Sequence, residues 1–444
     1  MSLTLLAYAL IVVFMALIMT KRLSVITALI VVPITFALLG GFGAQIGPMM
    51  LDGVRAIAPT GVMLMFAILY FSLMIDVGLF DPVVSQVVRL AGGDPVRISV
   101  GTAVLALFVS LDGDGSTTYL ITTAAMLPLY KKLGMSRLML ACTIMMSGGV
   151  MNILPWGGPT ARAAAALKVD AADLFVPLVP AMVAGAAWVV FVAWRFGRHE
   201  RKRLGVLPGA ALQEVHASAQ DLKEYDREQA IRRPRLLWFN LLLTVSLMGA
   251  LMLGVLPLSI LFMIAAALAL IVNYPKLEDQ KDRIAANAGN VLAVVAVVFA
   301  AGVFTGILSG TKMIDAMALS VVQVIPPGLG PYLAVITAFL SVPFTFFISN
   351  DAFYYGVVPV LAEAASHYGI TAAEIGRASL VGQPVHLLSP LVPSTYLLVG
   401  LCGVELGDHQ RFTLKWSLIT SLVLLLISLV ITVIPLAGPG HPLP

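Results

Sequence analysis

"FVSLDGDGSTTYLITTAAMLPLY" runs from Phe108 to Tyr130 and sets Asp112 and Asp114 among glycines inside an otherwise apolar stretch. The composition makes a bilayer the right reference for those charges. Of 444 residues, 59% are hydrophobic and 11% charged, against about a quarter charged in soluble domains. A carboxylate at the centre of a bilayer costs roughly 2.5–3.5 kcal/mol on insertion scales. The length accommodates ten or more spans of about 20 residues each. The net charge of +4 is small and its basic residues sit mostly in loops, a pattern of membrane orientation. No basic stripe with interleaved aromatics points to nucleic acid. Cys142 and Cys402 are the only cysteines, and they read as single buried thiols rather than a disulfide or metal site. "MSLTLLAYALIVVFMALIMTKR" places its charges after the apolar run, which predicts a first span rather than a cleaved leader.

Apolar segments predict spans near 2–20, 24–42, 57–77, 173–196, 236–255, 257–273, 284–308 and 412–437. Lys21 and Arg22, "RHERKR" at 198–203 and "RRPR" at 232–235 put their loops in the cytoplasm by the positive-inside rule. Asp76 is read as ending its helix at that surface. Segment 97–129 then starts inside, and Lys131, Lys132 and Arg137 follow it, so it returns to the side it came from. This predicts a re-entrant hairpin with "DGDGST" at its tip. The same reasoning makes 331–365 a second hairpin from the opposite face, with "SNDA" at 349–352 as its tip. "NILPWGGPT" at 152–160 and "HLLSPLVPS" at 386–394 align without gaps, each after a hairpin and each with proline at its eighth position.

The expected fold is therefore an all-α polytopic membrane protein of two inverted repeats. Each repeat holds a re-entrant hairpin and a discontinuous transmembrane helix, at 138–167 and 374–403. The first repeat takes 1–196, with scaffold spans 24–77. A cytoplasmic linker takes 197–235. The second repeat takes 236–444, with scaffold spans 236–308.

Broken helices expose backbone groups that are tolerated at membrane depth only inside protein or along a wet cavity. Half-helix N-termini favour anions and free carbonyls favour cations. The tips add Asp112, Asp114, Ser116 and Thr117 in the first half, and Ser349, Asn350 and Asp351 in the second. The breaks add Asn152, Gly157, Gly158, Thr160 and Arg162, then Gln383, His386, Ser389, Ser394 and Thr395. Three carboxylates suit a hard cation or a proton. Hydroxyls, amides, His386 and the fork of Arg162 suit a carboxylate ligand. Plainer roles compete: a helix cap for Asp112 or Asp114, an interface anchor for Arg162 and Lys168, a core residue for His386. "DGDG" resembles a calcium loop but lacks the 12-residue spacing and closing Glu of an EF-hand. "GGPTARAAAAL" lacks the phosphate-loop pattern, which argues against ATP drive. Ser389 lies three residues from His386, but nothing completes a triad, so no enzyme is expected.

Four segments carry a family resemblance: "LDGDGSTTYLITTAAMLPLYKKLGMS", "GGVMNILPWGGPTARAAAAL", "SNDAFYYGVVPVLAEAA" and "GQPVHLLSPLVPSTYLLVGL". They resemble the bacterial citrate–metal–proton symporters, the CitMHS family of the wider ion-transporter superfamily, over essentially the whole chain. The resemblance implies proton-coupled symport of citrate complexed with a divalent cation across the inner (cytoplasmic) membrane. It also implies a scaffold, a mobile transport domain moving as an elevator, and a homodimer. The cation, such as Mg²⁺ or Ca²⁺, is then a co-substrate with citrate, and no resident cofactor is expected. Asp112, Asp114 and Asp351 are the expected proton-coupling and metal groups. An ion channel, or an antiporter for another carboxylate or ion, is the competing reading of the same broken helices.

Overall fold

The computed structural model describes residues 2–20, 22–113, 115–206, 231–326 and 328–439. Lys21, Asp114 and most of the 197–235 linker (207–230) lie outside the described residues. The described chain is helical throughout, without a strand. Seven of its helices are long and apolar enough to cross a membrane.

The first half opens with α1 (Leu3–Met19) and α2 (Val25–Leu39). The Ser2 and Ser24 side chains accept from Leu5 N and Thr27 N, satisfying helix-start donors. Next come α3 (Ile46–Asp76) and a short α4 (Asp81–Ala91). The hairpin arms are α5 (Pro95–Val109) and α6 (Gly115–Leu133). The broken helix is α7 (Arg137–Met151) and α8 (Gly158–Leu167), and α9 (Ala171–Leu204) closes the half.

The second half repeats this order. It runs α10 (Leu237–Met252), α11 (Leu258–Asn273), α12 (Leu277–Gly310) and α13 (Met313–Val324). The second hairpin is α14 (Leu333–Phe347) and α15 (Val358–Ser366), joined through a π-helical turn over Ala352–Val357. The second break lies between α16–α17 (Ala372–Ser379 and Gln383–His386) and α18 (Pro393–Cys402), and α19 (Leu406–Val430) closes the half. Helices begin at Arg137, Gly158 and Ala171 and again, at constant spacing, at Ala372, Pro393 and Leu406.

That spacing shifts the ungapped sequence match by one residue, pairing Asn152 with Leu387 rather than His386. The prolines misled the alignment because Pro159 is the second residue of α8 whereas Pro393 is the first of α18. A helix accepts proline at either place, where the missing N–H has no intrahelical partner. Two helices escaped the hydropathy reading: α4 and α13 are too short to span. α3 starts at Ile46 rather than near 57, because the glycine-containing stretch before 57 is helical.

Gly53 of that stretch has long-range partners. A Cβ on Gly53 would lie 2.0 Å from Gly302 O, and one on Gly306 would lie 2.3 Å from Met49 O. α3 and α12 therefore touch backbone to backbone, the close approach that small residues permit between membrane helices. α2 and α11 pack beside this crossing, and α1 beside α2 and α13. The hairpins and broken helices pack with α9 and α19 in a second group. α8, which lies against both α3 and α12, and α15, which lies against α13, join the two groups.

Candidate functional site

The first hairpin turns tightly. After α5, a 3₁₀ turn over Ser110–Asp112 leads into Gly113 at φ +79°. A Cβ at Gly113 would lie 2.6 Å from Trp156 Cδ1, so glycine is required by both conformation and space. Trp156 Nε1 donates to Leu111 O at 2.9 Å. The hairpin tip and the α7–α8 break are thereby fixed to each other. α6 starts at Gly115 and α8 at Gly158, so two helix N-termini, with their spare N–H groups, come to one place.

A cavity of about 380 Å³ opens there. Asp112, Ser116, Thr117, Gly158 and Arg162 line it from the tip and the break. Phe71 and Ser72 of α3 and Asn290 of α12 form the facing wall. The joint is aromatic: Trp156 stacks on Phe71 at 5.0 Å between centroids, with Phe262 edge-on to Trp156 at 5.1 Å. The volume falls in the usual range for small-molecule sites, roughly 300–1,000 Å³.

Arg162 reaches across to the other half. Its Nε donates to Asp351 Oδ1 at 2.7 Å, and the two side chains stay 25% and 15% exposed. One guanidinium thus both neutralises the second hairpin tip and lines the cavity. A second, smaller cavity of about 120 Å³ lies on the other side of Gly113, lined by Ser110, Thr118, Asn152 and Ser394 among others. Asn152 Nδ2 donates to Gln383 Oε1 at 3.2 Å, and Gln383 Nε2 to the Tyr354 hydroxyl at 2.9 Å.

The remaining sequence candidates serve the breaks themselves. Thr160 Oγ1 donates to Ile153 O at 2.8 Å and Ser389 Oγ to Phe346 O at 2.6 Å. Thr395 donates to Leu387 O, and His386 Nδ1 lies 2.6 Å from Thr345 O. Such bonds satisfy carbonyls that an interrupted helix leaves without partners. Gly157 is held by its own break, where a Cβ would meet Asn152 O at 2.5 Å. Ser349 Oγ accepts from Ala352 N at 3.2 Å, whereas Asn350 Oδ1 is buried with no hydrogen-bond partner. Lys168 is no surface anchor alone. It ends α8 at φ 55° and its Nζ bonds Ser309 Oγ of α12 at 2.9 Å. Burial lowers the Lys168 pKa while Asp52 opposes that shift.

Sequence reasoning missed the wall. Ser72 and Asn290 come from segments read as plain scaffold. The available signal was Asn290 itself, an amide directly leading into "VLAVVAVVFA". Among the described residues, no three His, Cys, Asp or Glu side chains gather into a metal-holding group. Chemically, the cavity offers two helix N-termini, hydroxyls and Arg162 for an anion, with the Asp112 carboxylate beside them for a cation or proton.

Known proteins match this chain over most of its length. The profile of the family CitMHS, described as "Citrate transporter", matches residues 6–382. A Bacillus subtilis protein named "Citrate transporter" is 60% identical over 97% of this chain and 99% of its own length. Another from the same organism, named "Mg(2+)/citrate complex secondary transporter", is 53% identical over 98% of this chain and 100% of its own. Among solved structures, the Alcanivorax borkumensis YdaH transporter shares the fold at a TM-score of 0.60 and 15% identity, covering 99% of this chain and 100% of that one. Neisseria gonorrhoeae MtrF superposes at 0.58 and 13% identity over 91% and 88% of the two chains.

Proposed function

Because the chain belongs to the citrate transporter family, a multi-pass membrane transporter rather than an enzyme, we propose that it carries citrate complexed with a divalent cation. We infer that protons drive the uptake across the cytoplasmic membrane. The observation that carries this reading is the cavity in which the starts of α6 and α8, Arg162 and Asp112 converge. Helix N-termini and a guanidinium favour carboxylates. A carboxylate in the same cavity suits a cation that arrives with citrate as most of its coordination shell. Citrate alone is close to trivalent at neutral pH, and a divalent cation leaves about one negative charge, which lowers the desolvation cost of entering the site. The named relative that carries a magnesium–citrate complex supports the same substrate form.

In this reading Ser116, Thr117 and Arg162 hold citrate carboxylates and Asp112 faces the cation. A substrate carboxylate on Arg162 competes with Asp351 for that guanidinium. Asp351 is the proposed proton-coupling group, so that substrate entry and proton movement are linked through one guanidinium. The two halves act as inverted repeats. α1–α3 with α10–α13 form the scaffold, a homodimer in the membrane, against which the hairpins and broken helices move.

The test is uptake of labelled citrate into proteoliposomes under an imposed proton gradient, with Mg²⁺, Ca²⁺, Zn²⁺ or chelator. Uptake should require both metal and gradient. Full uptake in excess chelator would remove the metal from the proposal, and accumulation indifferent to the gradient would remove the proton.

A further inference from the structure

We propose that the C-terminal end of α9 holds the headgroup of an anionic phospholipid. α9 has 34 residues, about 50 Å at 1.5 Å per residue, against a hydrocarbon core of about 30 Å. Its last turns therefore stand at headgroup depth or beyond. The transition is marked on one face by Trp188, Phe191 and Trp194, with centroids 5.6 and 5.8 Å apart in succession. Phe191 and Trp194 are 44% and 38% exposed, as an interfacial aromatic belt is.

Directly beyond the belt, Trp194, Arg195, Arg198, His199 and Lys202 line a concavity of about 350 Å³. Arg198 lies over the Trp194 ring at 4.9 Å. Neighbouring cations are already engaged: Arg201 bonds Asp94 at 2.9 Å and Arg203 bonds Glu200. Arg195, Arg198 and Lys202 have no carboxylate partner among the described residues. Three uncompensated cations around an open concavity recognise a phosphate. The exposed aromatic stripe running from it into the bilayer recognises the chains attached to that phosphate. A free anion would use the first feature and not the second, so the occupant is a lipid.

The experiment is native mass spectrometry of the full-length protein in mild detergent, titrated separately with phosphatidylglycerol, phosphatidylcholine and inorganic phosphate. Phosphatidylglycerol should bind about tenfold or more tightly than phosphatidylcholine, and inorganic phosphate weakly. Arg198→Gln alone, and the triple change of Arg195, Arg198 and Lys202 to Gln, should remove the preference stepwise. Trp194→Ala should weaken phosphatidylglycerol while leaving inorganic phosphate unchanged. Retained size-exclusion profile and citrate uptake check the fold of each variant, and the single change stands in if the triple one fails to fold. Equal affinity for the two lipids, an undiminished preference in Arg198→Gln, or phosphate binding as tight as the lipid would overturn the proposal. So would a preference that emerges only after Glu214, Asp221, Glu224, Asp226 and Glu228 of the linker are neutralised, since the linker would then be the occupant.

Discussion

The two hairpin tips occupy corresponding places in the chain and are built in opposite senses. The first is overwound: a 3₁₀ turn and a left-handed Gly113 pull α5 and α6 together, and the residues just beyond face an open cavity. The second is underwound, entering α15 through a π-helical turn, and its carboxylate is already engaged by Arg162 of the first half. Similar element order does not give equal roles. One tip lines the larger cavity with polar groups, and the other supplies the countercharge to Arg162. The breaks divide the same way. α8 presents Gly158 and Arg162 to the larger cavity, while Ser389 and Thr395 near α18 are bonded to carbonyls.

This asymmetry can be broken experimentally, and the sharpest blow falls on the aspartates. Asp112→Asn is expected to lower both proton-driven accumulation and citrate counterflow by about a hundredfold, the scale of a lost interaction with a charged group. Asp351→Asn should abolish accumulation yet keep most of the counterflow, which needs no net proton movement. Equal loss of both activities in the two variants would mean that the tips share one role. Arg162→Lys comes next: substrate affinity should fall about tenfold, because an ammonium cannot reproduce the planar fork, and unchanged affinity in direct binding would remove Arg162 from the site.

Smaller effects concern how the tip is built. Gly113→Ala should destabilise the protein by about 1–2 kcal/mol through the left-handed backbone alone, with the Trp156 contact adding to it. Gly115→Ala should be tolerated, since its Cβ would make only ordinary contacts, with Ser394 Oγ at 3.7 Å and Tyr119 Cζ and hydroxyl at 3.8 Å. Thermal unfolding in detergent separates the two, and equal shifts would deny the tip its tight geometry. The faintest difference lies at the helix ends, where Lys168 at φ 55° corresponds to Gly403 at φ 62°. Lys168→Gly relaxes the backbone but loses the Ser309 bond, two terms of about 1 kcal/mol that offset. A net change well beyond that, by the same melt, would mean that the Ser309 contact does more than hold a helix end.

Much of the architecture was legible because it is local. The hairpin read at 97–129 spans Pro95–Leu133, and the one read at 331–365 runs from Leu333 to Ser366. Prolines and glycines broke the apolar runs where the helices break. What stayed hidden depends on partners far along the chain. Gly53 and Gly306 look like helix breakers until each is seen to make room for the other helix. Arg162 and Asp351 are 189 residues apart, and no local pattern pairs them. Polar residue types marked the tips well but not their direction: a serine or threonine that lines a cavity and one that satisfies a carbonyl are the same letter. Asn290 is hard to pick out because the other residues that its helix adds to the cavity, Ala293 and Val294, are apolar like any span.

The π-helical turn at Ala352–Val357 has a further consequence, which is one of phase. A π turn carries one residue more than an α-helical turn in the same rise, so everything before it is rotated by about 100° relative to an unbroken helix. Asp351 sits immediately before that turn. Its aim at Arg162 is thus indexed by one surplus residue, independently of how α15 packs against α13 and α16. Removing a single residue from the turn would leave the arm seated and point the carboxylate elsewhere. The direction of the countercharge is set by counting residues along the chain, while the position of the hairpin is set by its packing.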